Sequence, residues 1–344
     1  MSESMNLLLI YGTLTAVMML IPLIPVWKAV KEKKDINPLD VNLAYSKDPH
    51  AIAEHFIALF NNDYPEDALI AGRVLNGKRL GKLSVIASVF KKSRYKNLVC
   101  TIEEIVVPPN TRFDQELMAK KTIALSSGCH AKAIYAAEAL TLGNDCCVSR
   151  WIDAKDTLII KSGSQINIAS CSEIMYLEPG IAFNRIYAHP ILTSHEFNFN
   201  HDISVIWQRH EVASKIDENL LYIQKEKYRI EKDENIFQSI VLSGELLMEE
   251  GAKVFGDIKA NGDVILKDKC VVDGNIISEG NIDIGEGCFV TGDLFSRKEI
   301  IIRKGTQIGT ETHRKSVIAK GNIQLHEHVA VFNYILTDSR GFTV

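Results

Sequence analysis

The chain has 344 residues, 46% of them hydrophobic and 24% charged, with a formal net charge of −4. That length allows two or three domains, and the slight acidity gives no electrostatic basis for nucleic-acid binding. Seven cysteines without a C-x-x-C pair argue against a disulfide framework or a zinc site and suit a reducing compartment.

The first strong signal is Leu7 to Trp27, an uncharged stretch of 21 residues. At about 1.5 Å per residue it reaches across a hydrocarbon core of about 30 Å. Leu7, Ile10, Leu20, Leu23 and Trp27 are its anchoring residues, and Pro22 and Pro25 fall near its end. No Lys or Arg precedes the run and no small-x-small cleavage pattern follows it, which argues against a secretory signal. Lys28, Lys31, Lys33 and Lys34 follow directly, so the positive-inside rule places the bulk of the chain in the cytoplasm. Residues 1–34 are therefore read as a single-pass membrane anchor.

Residues 35–98 form a juxtamembrane segment. Ala51, Ile52, His55, Phe56, Leu59 and Phe60 recur at helical spacing, so a short amphipathic helix is expected over Pro49 to Asn61. Ala68 to Phe90 is expected to hold a second apolar helix or a pair of strands. The basic run Lys91-Lys92-Ser93-Arg94-Tyr95-Lys96 is expected on a solvated face, with acidic headgroups as the sharper alternative.

From Val99 a period appears. Val107, Leu125, Leu142, Ile160 and Leu177 step by 18, 17, 18 and 17 residues. Four places later stand Thr111, Cys129, Cys146, Ser164 and Ile181. A first solenoid array is read over 99–187. Residues 188–224 break the period and are rich in histidine (His189, His195, His201, His210), which marks a connector folded on the solenoid flank. Within it Val212, Ile216, Leu220 and Ile223 are spaced to line one face of a helix.

The second array, 225–344, is the most regular. Gly244, Gly262 and Gly280 are 18 apart, as are Met248, Leu266, Ile284 and Ile302. Ala252, Cys270, Cys288 and Thr306 keep the same step, and an insertion of five residues falls near Thr310 to Lys315. Inward positions recur every six residues, as in Leu266, Val272 and Ser278. This predicts an all-β fold: a parallel β-helix of three-sided coils, each about 18 residues, in two arrays. Glycine, Asp and Asn are expected at corners that need positive φ. The cysteine columns read as small apolar core residues. If array ends associate, the residues expected to carry the contact are Val331, Phe332, Tyr334 and Ile335, which equally suit a cap.

The run from Val254 through Phe255-Gly256-Asp257-Ile258 to Leu266, and its echo from Val272 to Leu294, resemble the bactofilins, a family with the repeat V-x-G-D-I-x-A-x-G. The resemblance covers about 243–331 and reaches the first array by period alone. It implies a bacterial cytoskeletal protein that polymerises end to end without nucleotide. It also implies a place at the inner face of the cytoplasmic membrane, scaffolding cell-wall or cell-shape proteins, with no cofactor, no enzymatic activity and no nucleic acid. Two alternatives stand beside it. Ile284-Gly285-Glu286-Gly287-Cys288 fits one hexapeptide unit of an acyltransferase β-helix, for which His313, His326, His328 or a connector histidine would supply the base. A membrane-bound adaptor that never polymerises is the other.

Overall fold

The computed structural model describes residues 48–65, 74–86, 90, 92–194 and 220–344. The chain divides into two units at Asp48, and Pro49–Val344 is one of them. The predicted anchor, Leu7 to Trp27, lies outside the described residues. Among the described residues no helix is long and apolar enough to cross a membrane.

From residue 82 onward the described strands build the predicted solenoid. Three short strands make each coil of the second array: Val264–Leu266, Val271–Val272 and Ile276–Ser278 in one turn. Each pairs in parallel with the strand 18 residues on: Val264 with Ile282, Val272 with Val290 and Ile276 with Leu294. Parallel stacking at this step puts like residues above one another, so Leu266, Ile284 and Ile302 form one buried column. The inward triad Leu266, Val272 and Ser278 is at most 1% exposed, as the six-residue spacing predicts. Ser278 sits in the core because its hydroxyl donates to the Gly262 carbonyl at 2.7 Å, which removes the cost of an unpaired polar group.

Two kinds of corner hold the coils together. At one, a residue of each coil is left-handed: Asn110, Gly128, Asp145, Gly163 and Gly180 in the first array, then Asp233, Gly251, Lys269, Gly287, Gly305 and His328. At the other, the glycine ladder departs from expectation. Gly244, Gly262 and Gly280 are not at positive φ. They are glycine because a Cβ would meet the backbone of the coil below at 2.0 to 2.8 Å. The Asp and Asn that follow such glycines cap the next coil instead: Asp257 accepts from the Asn275 amide at 2.7 Å, and Asn275 from the Asp293 amide at 2.9 Å.

The boundaries shift at both ends of the first array. Of the two readings for Ala68 to Phe90, the strand pair forms: Val74–Asn76 and Lys82–Ile86 make an antiparallel hairpin, and the latter pairs in parallel with Leu98–Thr101. The first array therefore begins earlier than Val99. It also runs past Tyr187 to Ile191–Leu192. Ile223 belongs to strand Leu221–Ile223 of the second array, paired with Ile240–Leu242, and not to a helix. Its expected partners Val212 and Ile216 lie outside the described residues. The predicted helix forms as α1, Ala51–Asp63, with Ala53, Phe56 and Phe60 buried. It lies on the outer surface of one side of the first array, against Cys100, Met118, Tyr135 and Trp151.

Candidate functional site: the joint between the arrays and the free ends

The two arrays meet end to end at their C-terminal coils, and the contact uses all three sides. On one side Arg185, Ile186 and Tyr187 pair antiparallel with Leu336, Ile335 and Tyr334. On the next, Ala182 and Phe183 pair with Phe342 and Gly341. On the third, Ile191 and Leu192 pair with Val331 and Ala330. The third side thereby becomes one continuous sheet of 12 strands, about 55 Å along its stack at about 4.8 Å per strand. A solenoid end exposes unpaired N–H and C=O groups and a cut core. Here each array closes the other.

The joint is packed as well as hydrogen-bonded. Ile186, Val331 and Ile335 are fully buried, and Phe332 packs with Leu192 and Ala330. Burying each such side chain contributes about 1.5–3 kcal/mol. The rings of Tyr187 and Tyr334 lie 4.7 Å apart, with the Arg185 guanidinium 5.2 Å from the Tyr334 ring centre. Thr343 ties the corner: its hydroxyl donates to the Glu178 carbonyl at 2.6 Å and accepts from the Ile181 amide at 3.0 Å. Thr193 does the same at another corner, donating to the His326 carbonyl and accepting from the Val329 amide. Gly341 lies under Phe183, where a Cβ would stand 2.2 Å from the ring.

The four residues singled out for assembly or capping all fall in this joint. Val331, Tyr334 and Ile335 sit in the paired strands and Phe332 beside them. They join two ends of one chain, so they are not on a free surface. Burial holds the neighbouring His189 below the ordinary histidine range, with Arg314 of the inserted loop adding to the effect.

The outer ends of the two arrays differ. The first coil of the second array consists of Leu221–Ile223, Lys227–Ile230 and Asn235–Ile236, and among the described residues each strand pairs on one side only. Leu220 and Tyr222 are 55% and 60% exposed there. At the outer end of the first array one side is closed by the hairpin strand Val74–Asn76, and Phe90 is buried edge-on against Tyr95 and Phe113, while among the described residues Arg94–Tyr95 and Ile105–Val107 each pair on one side only.

Of the remaining sequence candidates, His195, His201 and His210 lie outside the described residues, and the cysteine columns are part of the coil itself. The thiols of Cys129 and Cys146 point at carbonyls of the preceding coil's corner, Pro108 at 3.2 Å and Ser126 at 3.3 Å. Cys270 and Cys288 do the same to Glu249 and Lys267, both at 3.1 Å. Ser164 and Thr306 take the same place and donate to Gly143 and Gly285. The column is thus a ladder of side-chain donors, with thiol and hydroxyl interchangeable. Sequence reasoning reads it only as small apolar filling, although its mixture of Thr, Ser and Cys is the signal of a shared donor.

Among the described residues no cluster of His, Cys, Asp and Glu is arranged to hold a metal. His313 hydrogen-bonds to the neighbouring Thr312, and His326 to Gln324 of strand Ile323–Leu325. One contact was not legible in the sequence: Asp153, buried and 103 residues from His50, accepts from the His50 ring at 2.6 Å and from the Ser170 hydroxyl at 2.6 Å. Burial raises the Asp153 carboxyl, against the two hydrogen bonds. The pair fixes the start of α1 to the solenoid. Ser172 lies 3.5 Å from the other ring nitrogen, at the outer limit of a hydrogen bond. No family model, curated protein or solved structure matches the chain.

Proposed function

We propose that the chain is a membrane-tethered, bactofilin-like scaffold protein that self-associates through its solenoid ends without nucleotide and organises cell-envelope or cell-shape machinery. In this reading residues 1–34 hold it to the cytoplasmic membrane with the solenoid on the cytoplasmic side, and the role is not catalytic. The observation that supports it best is the joint: coil ends of this sequence close on one another by edge pairing on three sides. Among the described residues the first coil of the second array offers three further edges of the same kind.

Pairing through that end alone joins two chains into a longer rod. A filament requires the hairpin end as well. Both are distinguished by sedimentation and electron microscopy of the full chain in detergent, without nucleotide. Self-association that grows with concentration, and that Tyr222→Lys with Arg229→Pro abolishes without changing the melting temperature of the joint, supports the proposal. A chain that stays monomeric at all concentrations, and is diffuse in the membrane, refutes it and leaves the adaptor reading.

A further inference from the structure

Arg94 and Tyr95 of the basic run lie at one corner of the first array. Arg94 and Tyr95 form its outermost strand there, paired with Arg112 and Phe113, and Arg112 is in turn paired with His130. Inward residues of this side fill the core, so Arg94, Arg112, His130 and Cys147 form the outward ladder.

The coil carrying Cys147–Ala154 has an extra residue at the corner: between Val148 and Trp151 the register slips against the coils on both sides. A bulge re-aims side chains. This one sets Arg150 beside Lys132, both on Glu116, at 3.3 and 3.5 Å. The result is a groove of about 470 Å³ lined by Arg112, Asp114, His130, Lys132, Cys147 and Arg150.

Its charges are organised, not merely close. Arg94 and Arg112 both hold Asp114, each through Nε, at 2.9 and 3.1 Å. Their Nη groups make no hydrogen bond within the described residues, and the two side chains are 58% and 61% exposed. Four cations, Arg94, Arg112, Lys132 and Arg150, thus share two carboxylates, Asp114 and Glu116. The surplus is two positive charges. The carboxylates orient the guanidinium groups without neutralising them, and they leave the outward forks that match a tetrahedral oxyanion.

We propose that this corner groove binds a phosphate group, carried by a small phosphoester whose remainder occupies the rest of the groove. An anionic lipid headgroup and a soluble phosphate share that chemistry. A lone carboxylate would balance one charge, whereas a phosphate monoester balances both and presents three oxygens to the forks of Arg112 and Arg150.

Cys147 provides a local readout. It lines the groove and is half-buried, whereas the other six cysteines are buried. The full chain in uncharged detergent is alkylated with iodoacetamide, and Cys147 modification is followed by peptide mass spectrometry. Three probes are added in turn: inorganic phosphate, glycerol 1-phosphate and dihexanoyl-phosphatidic acid, each of which presents a phosphate with at least three free oxygens. Saturable protection of Cys147 is expected. Tightest protection by the lipid identifies a headgroup site; equal protection by inorganic phosphate identifies a soluble one. Arg112→Gln with Arg150→Gln should weaken protection roughly a hundredfold or more, because two charge-assisted contacts to the phosphate are lost together. The double variant should keep its melting temperature, and Lys259→Gln with Lys267→Gln, on the second array, should bind as the parent does. Unchanged Cys147 alkylation with all three probes overturns the proposal. So does equal protection in the parent and the Arg112→Gln, Arg150→Gln variant.

Discussion

The two ends of the second array are built from the same kind of coil and meet different fates. At the C-terminal end, strands Ala330–Val331 and Tyr334–Thr343 are paired on both edges, on one side by their own array and on the other by the first. At the N-terminal end, Leu221–Ile223, Lys227–Ile230 and Asn235–Ile236 have, among the described residues, one neighbour each. Cross-section does not distinguish them. The difference is that a second array of matching section lies within the same chain for one end. A β-helix of this type does not need a dedicated cap; another coil end suffices, and it pairs antiparallel.

Substitutions matched between the two ends break this comparison most strongly. Ile335→Asp places an unpaired charge at a fully buried joint position and should cost about 3–5 kcal/mol. Tyr222→Asp at the exposed edge should stay within about 0.5 kcal/mol. Thermal or denaturant unfolding reads both. Gly341→Ala is next: its Cβ meets the Phe183 ring, itself 1% exposed, and overpacking of that kind costs about 1–3 kcal/mol.

A pH dependence should follow at the joint. His189 titrates below its ordinary value of 6.5 in the folded chain because of burial. A depressed folded pKa means stability present above the unfolded value and lost as pH falls through the folded one. Melting temperature should therefore drop as pH is lowered below about 6.5, and His189→Gln should flatten that slope. The smallest effect sharpens the corner argument. Lys269 and His328 hold left-handed backbone in columns otherwise filled by Gly, Asn or Asp. Lys269→Gly should stabilise the second array by about 0.5–1 kcal/mol, visible as a small rise in melting temperature.

The coil was legible because parallel stacking turns each inward position into a column of like residues. Leu266, Ile284 and Ile302 declare it directly. The helix face of Phe56 and Phe60 was legible for the same reason, a periodicity imposed by one buried side. The joint was half legible. Val331, Phe332, Tyr334 and Ile335 stand out as apolar residues at an array end, but a repeat carries no information about which end meets which. The hairpin at Lys82–Ile86 has no 18-residue echo, so it could not be assigned to the array. Asp153 and His50 are too far apart in sequence to be paired by pattern. The close approach at Gly262 and Gly280 differs from a positive-φ corner only in three dimensions.

One chain joins its two solenoids by antiparallel edges. Arg185 and Leu336 are register partners across that joint, and such partners have Cβ atoms about 5 Å apart. With cysteine at both positions, mild oxidation of the full chain at low concentration should give an intramolecular disulfide in high yield. Cysteine at Arg185 and Tyr222 should give none. Failure of the first pair to cross-link, or cross-linking only between chains, would contradict the joint.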